Sequence, residues 1–121
     1  MASKSFVSVV DDHESVRESL PALLVACGFA ARAFASAEEF LASGSITDTA
    51  CLILDVALPG MSGPSLHREL IRRGQSVPTI FITAVKDEPL RQRLLKQGAL
   101  DCLFKPFGEA ALLQALQGAR P

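Results

Sequence analysis

The stretch Cys51-Leu52-Ile53-Leu54-Asp55, followed by Leu58-Pro59-Gly60 and then by Gly63-Pro64, decides the fold. Four apolar residues in a row, bounded by turn residues, read as a strand covered on both faces. Pro59-Gly60 reads as a turn, and a proline beside Gly63 opens a helix. The arrangement recurs: Phe6-Val7-Ser8-Val9-Val10 runs into Asp11-Asp12, Thr79-Ile80-Phe81-Ile82 into Thr83, and Leu100 to Phe104 into Lys105-Pro106. Ala30 to Phe34 is the weakest run, broken by Arg32, and suits a sheet edge. Strand and helix thus alternate five times, which predicts an α/β fold built on a doubly wound parallel sheet of five strands with five helices.

Helical spacing fills the intervals. The first helix is expected from Glu14 to Cys27, with Val16, Leu20, Leu23, Leu24 and Cys27 as its stripe, Gly28 as its stop and Pro21 as a kink. Ser36-Ala37-Glu38-Glu39 reads as a capping box opening a short second helix, with Phe40 and Leu41 as contacts, that ends near Gly44. The third starts at Gly63-Pro64 and buries Leu66, Leu70 and Ile71 before Gly74. The fourth follows Asp87 and Pro89, carries Leu90, Leu94 and Leu95, and ends at Gly98. A fifth, Glu109 to Gln117, uses Ala110, Leu113 and Leu116.

Parallel neighbours bring the strand ends to one rim, the usual ligand side of an open α/β sheet. That rim would hold Asp11, Asp12, Asp55, Thr83 and Lys105. Like charges about 4 Å apart repel by roughly 4 kcal/mol at an effective dielectric near 20. Three carboxylates therefore call for a cation, and Mg²⁺ suits few protein ligands because it keeps waters and accepts phosphate oxygens. Asp12 and Asp55 are the better direct ligands, with Asp11 acting directly or through water. Asp55 has a second possible role, since a carboxylate beside a divalent ion can attack phosphorus and become an aspartyl phosphate. Lys105 and Thr83 would then neutralise the phosphoryl oxygens, and Thr83, drawn inward only after phosphorylation, would make the site a switch.

Composition sets the bounds. The 121 residues, 49% hydrophobic, make one domain of residues 1–121 with a core of about 5–118, and two domains would not fit. A formal net charge of −1 gives no basic face, hence no expectation of direct nucleic-acid contact. Cys27, Cys51 and Cys102 lack CxxC spacing and read as small buried hydrophobes in a reducing compartment. Neither a signal peptide nor a membrane-spanning run is visible, so a cytoplasmic location is expected. Gly118-Ala119-Arg120-Pro121 reads as the start of a linker toward an output domain outside this chain.

Val9-Val10-Asp11-Asp12, Leu54-Asp55-Val56-Ala57-Leu58-Pro59-Gly60-Met61-Ser62-Gly63, Thr83-Ala84 and Lys105-Pro106-Phe107 together resemble the signature of bacterial response-regulator receiver domains, over Phe6 to Ala119. Val9 to Gly28 and Ser36 to Leu41 are similar to the FixJ type, whose receivers usually precede a helix-turn-helix domain. The resemblance implies strand order 2-1-3-4-5, a histidine kinase partner, phosphorylation on Asp55, Mg²⁺ held by Asp11 and Asp12 with the Ala57 backbone carbonyl, and Thr83 and Lys105 as the switch pair. It also implies a cis Lys105-Pro106 peptide, transcriptional output, and a phosphorylation-dependent homodimer through the fourth helix and fifth strand. One departure stands out: the family's usual Tyr or Phe three residues before the lysine is Cys102, with Phe104 as a possible substitute if the last strand is regular.

Each motif alone has a plainer reading: Asp-Asp as a helix cap, Asp55 as a turn opener, Lys105-Pro106 as an exposed turn. Their joint order favours the phosphoacceptor. His13 reads as solvent-facing, since no second histidine has ligand spacing to it, and the Arg72-Arg73 and Arg91 to Lys96 charges read as solvated helix faces. A flavodoxin-like binder would need a Ser/Thr/Gly-rich loop where Asp11-Asp12-His13-Glu14 stands. An aspartyl-phosphate phosphohydrolase would want an acid/base at Ala57, so slow self-dephosphorylation, not enzymatic turnover of outside substrates, is expected. A pseudo-receiver that takes no phosphate has only Cys102 in its favour.

Overall fold

The computed structural model describes residues 6–119, so the expected linker start lies partly outside the described residues. Strands β1 (Phe6–Val10), β2 (Ala31–Phe34), β3 (Thr49–Asp55), β4 (Thr79–Thr83) and β5 (Asp101–Phe104) form one sheet in the order β2-β1-β3-β4-β5. Every pairing is parallel. The helices are α1 (Glu14–Ala26), α2 (Ala37–Ala42), α3 (Gly63–Arg72), α4 (Glu88–Lys96) and α5 (Glu109–Gln117). A single 3₁₀ turn, Ile46–Asp48, precedes β3, which starts two residues before the apolar run that announces it.

Strand alternation sorts the core into two layers. Val10, Leu52, Leu54, Phe81 and Cys102 point to one face and meet Phe40, Leu66, Leu70 and Leu94 of α2, α3 and α4. Val7, Val9, Cys51, Ile53, Ile80 and Ile82 point to the other and meet Leu20 and Leu24 of α1 with Leu112 and Leu116 of α5. Both faces of the central strands are thus buried, which is why β1, β3 and β4 are nearly continuous apolar runs.

Three core expectations need correction. Ile71 is 54% exposed, because it stands one residue past Leu70 and so turns about 100° away from the Leu66–Leu70 stripe. On α5 the buried set is Leu112, Ala115 and Leu116, and Ala110 faces solvent. Cys27 follows the last turn of α1 and is only half-buried, whereas Cys51 and Cys102 are buried as expected. Burial pushes the Cys51 thiol up to about 12 and the Cys102 thiol to about 11, so both stay protonated at neutral pH. α1 continues past Pro21 to Ala26, and no helix among the described residues is long and apolar enough to cross a membrane.

The polar residue in the α3 stripe is His67, 4% exposed and edge-on to Phe81 at 5.4 Å between ring centres. Its Nδ1 is buried and finds no hydrogen-bond partner among the described residues. Burial, then the Arg68 charge, lower its pKa below the usual 6.5. The unfolded chain therefore binds this proton more readily, and stability is lost as pH falls below about 6.5. His67→Leu is expected to lose less stability than the parent between about pH 7.5 and 5.5 in denaturant titrations, and equal losses would show that His67 takes up its proton as readily in the folded protein as in the unfolded chain.

Candidate functional site

The site begins with how the chain leaves β1. Asp11 is fully buried, and its Oδ1 accepts the His13 backbone N–H at 2.9 Å, an Asx turn that folds the chain back before α1. The turn brings the His13 ring over the carboxylates, with Nδ1 2.8 Å from Asp11 Oδ1, 3.4 Å from Asp12 Oδ1 and 3.9 Å from Asp55 Oδ2. The His13 side chain is 61% exposed, so the solvent-facing expectation holds for the residue while missing where its Nδ1 points. Nothing in spacing marked His13; the signal is the Asx turn, which needs the Asp11 side chain to be turned in.

Asp55 closes β3 and is almost fully buried, and the following loop is fastened at three points. The Gly63 N–H donates to the Val56 carbonyl at 3.1 Å. The Glu38 carboxylate, from α2, accepts the Met61 N–H at 2.8 Å, and the Ser62 hydroxyl caps α3 by accepting the Ser65 N–H. The expected capping box of α2 is present in altered form: Ser36 accepts the Glu39 N–H, while Glu39 reaches back to the Ala35 N–H. α3 starts so close to β3 that a Cβ on Gly63 would collide with the Asp55 carbonyl oxygen. Gly63→Ala is expected to cost about 1–3 kcal/mol and displace Asp55. Unchanged thermal melting would show that the α3 start yields without strain.

Lys105 reaches back from the end of β5. Its Nζ donates to Asp11 Oδ2 at 3.0 Å and lies 3.9 Å from Asp55 Oδ2. The Lys105-Pro106 peptide is cis. Thr83 ends β4 beside them, and its hydroxyl accepts the Val85 N–H at 3.2 Å. Ala57 lies in the exposed loop after β3, where its N–H donates to Asp55 Oδ1 at 3.4 Å. Asp11, Asp12, Asp55 and Lys105 thus share one pocket, with Thr83 and Ala57 at its edge.

The electrostatics separate the two buried aspartates. Burial pushes Asp11 up, but the His13 N–H and the Lys105 ammonium more than compensate and hold it below its usual value. Asp55 is pushed up to about 6, first by burial and then by the Asp11 charge, against the pull of Lys105 and the Ala57 N–H. Asp11 is thereby the fixed anion, and Asp55 the carboxylate with unsatisfied demand for positive charge. Asp11, Asp12, His13 and Asp55 offer ligand atoms all within 4.8 Å of one another. Carboxylate oxygens at that spacing fit a divalent cation.

Cys102 is not in the pocket. It lies in the core on the α2-α3-α4 side, 3% exposed. β5 is regular, with Cys102 opposite Phe81 and Phe104 opposite Thr83, and Phe104 packs against the same cluster as Cys102. Arg91 departs from the solvated-face expectation: its guanidinium ties α4 to β5 through the Cys102 carbonyl at 3.3 Å and Asp101 at 3.4 Å. Arg72 and Arg73 pair with Glu69 on the exposed side of α3, a solvated face as expected.

Comparison with known proteins agrees with this geometry. The sequence model described as "Response regulator receiver domain" matches residues 7–117. Nodulation protein W of Bradyrhizobium diazoefficiens is 44% identical over 118 residues, covering 98% of this chain and 52% of that protein. The transcriptional regulatory protein FixJ of Azorhizobium caulinodans is 42% identical over 113 residues, covering 93% of this chain and 54% of that protein. The chain thus spans about half the length of the curated relatives it matches. Among solved structures, FixJ-N superposes with a TM-score of 0.86 at 37% identity, covering 95% of this chain and 92% of that one. The response regulator StyR gives 0.87 at 43% identity, covering 96% and 59%. With the strand order, the acidic pocket and the sequence match in accord, this chain belongs to the receiver domains of two-component response regulators, among relatives of the FixJ and nodulation protein W kind.

Proposed function

We propose that this chain is the phosphoacceptor of a two-component pathway, taking a phosphoryl group from a histidine kinase onto Asp55. The observation that carries the reading is the pocket itself: a buried carboxylate whose pKa is raised to about 6, with a lysine ammonium 3.9 Å from its Oδ2 and two further aspartates beside it. In the transfer, an Asp55 carboxylate oxygen bonds to phosphorus as the bond from phosphorus to the donor imidazole nitrogen breaks, and the freed imidazole takes up a proton. Asp11, Asp12, Asp55 and the Ala57 backbone carbonyl would hold Mg²⁺, which when bound would supply positive charge to the phosphoryl oxygens. Lys105 neutralises another oxygen, and the Asp11 carboxylate that binds it keeps the ammonium aimed into the pocket.

The switch is the Thr83 hydroxyl. It now accepts the Val85 N–H, and a phosphoryl oxygen offers it an acceptor in place of its donor. Phe104, opposite Thr83 and packed with Cys102, relays the movement where the family aromatic is missing. The affected surface is the α4-β5 face, where Arg91 bridges the two elements and Val85 and Leu100 are exposed. That face is suited to phosphorylation-dependent pairing of two copies, which would bring together output domains that control transcription in the cytoplasm.

Treatment with acetyl phosphate and Mg²⁺ is expected to add one phosphoryl group to the wild type and none to Asp55→Asn, with size exclusion reporting pairing. Equal labelling of the two proteins would move the acceptor elsewhere. Phe104→Ala is expected to keep wild-type labelling yet lose the phosphorylation-dependent amide shifts in α4; undiminished shifts would remove Phe104 from the relay.

A further inference from the structure

The His13 ring gives this pocket a nitrogen donor that three carboxylates do not require. Its position is set by backbone: the Asx turn on Asp11 holds residue 13 just before α1, and Nδ1 falls 2.8–3.9 Å from one oxygen of each aspartate. Ligand atoms about 2.1 Å from a shared ion stand about 3 Å apart on adjacent vertices and about 4.2 Å apart across it. The spacings from Nδ1 to the three carboxylates fall within or close to that range, and the four ligand atoms all lie within 4.8 Å of one another, so a small side-chain adjustment lets one ion touch all four side chains. The ring is the most exposed member of the group, more so than the also exposed Asp12, which leaves it free to adjust while Asp11 and Asp55 stay fixed by burial.

We infer that His13 Nδ1 is a direct ligand of the divalent cation in this pocket, and that it shifts the site's preference from Mg²⁺ toward imidazole-accepting transition ions such as Ni²⁺ or Co²⁺. The inference rests on the reading of Asp11, Asp12 and Asp55 as a divalent-cation site. Mg²⁺ favours oxygen ligands, whereas imidazole nitrogen suits the later first-row ions, whose affinities also rise along the series. An all-oxygen pocket already binds Ni²⁺ more tightly than Mg²⁺, so the signature of His13 is the change in selectivity when the ring is removed.

The test uses untagged protein and the metals alone, with Ni²⁺ and Mg²⁺ titrated calorimetrically into the wild type, His13→Ala and Asp12→Ala. His13→Ala is expected to lose Ni²⁺ affinity by about tenfold or more, equivalent to about 1.4 kcal/mol, while Mg²⁺ affinity changes by less than about twofold. With Co²⁺ bound, the His13 ring protons are expected at hyperfine-shifted positions in the proton spectrum, and those of His67 are not. Asp12→Ala is expected to weaken both metals. If Asp12→Ala weakens both but His13→Ala changes neither, or changes the two equally, His13 is not a ligand and the carboxylate pocket stands without it. If Asp12→Ala leaves both unchanged, the ions bind elsewhere, and both the pocket reading and the His13 inference fall.

Discussion

Asp55→Asn is expected to stabilise the metal-free protein by about 3 kcal/mol above pH 6. The folded protein raises this carboxyl from 3.8 to about 6, which corresponds to about 3 kcal/mol of disfavour for the ionised form. Because the folded pKa lies above the unfolded one, that stability is present below about pH 4 and is lost as pH rises through about 6. An amide has no such charge to bury. The gap between variant and wild type should therefore be full at pH 8, shrink through pH 5 and close near pH 3.8, and at pH 8 it corresponds to roughly 10 °C in melting temperature. Mg²⁺ at pH 8 should narrow it by stabilising the wild type. The same variant is expected to take no phosphoryl group, so one substitution would gain stability while losing the proposed function. A variant no more stable than wild type at pH 8 would show that Asp55 carries no uncompensated charge.

Lys105→Met acts in the opposite direction. It leaves Asp11, fully buried and held ionised by the His13 N–H and by this ammonium, without its 3.0 Å ion pair, and removes the lysine ammonium beside Asp55. Breaking a buried pair costs more than the pair itself contributes, because one charge stays behind. Lys105 is 20% exposed, so a loss of about 2–3 kcal/mol at pH 7 is expected, below the fully buried case. Divalent cation should restore part of it, since positive charge is what the pocket lacks. Labelling by acetyl phosphate is expected to slow strongly, because the donor to one phosphoryl oxygen is gone. Wild-type stability in the variant would mean that Asp11 draws its compensation from His13 alone.

Most of this arrangement was legible in the chain, for a physical reason. A parallel strand covered on both faces must be almost wholly apolar, so each run announces itself, and the polar residue ending it must lie at the rim. Asp11, Asp55, Thr83 and Lys105 each stand at such an end. Helix faces were less legible, because Ile71 and Ala110 are apolar residues at stripe edges whose burial is settled by rotation of the helix, not by residue type. The His13 ring was missed because its position depends on a hydrogen bond made by the residue two places before it. Arg91 reads as one more charge on a polar helix until β5 is brought beside α4 and supplies a carbonyl and a carboxylate. Loop geometry and contacts between elements distant in sequence carry no periodic signal.

The most direct measurement locates the modified residue. Wild-type protein treated with acetyl phosphate and Mg²⁺ is reduced with borohydride, which converts an aspartyl phosphate to homoserine, and its peptides are sequenced by mass. Conversion at Asp55 alone, abolished by a chelator, is the predicted result. Conversion at another carboxylate, or none under conditions that label a known receiver, would contradict it.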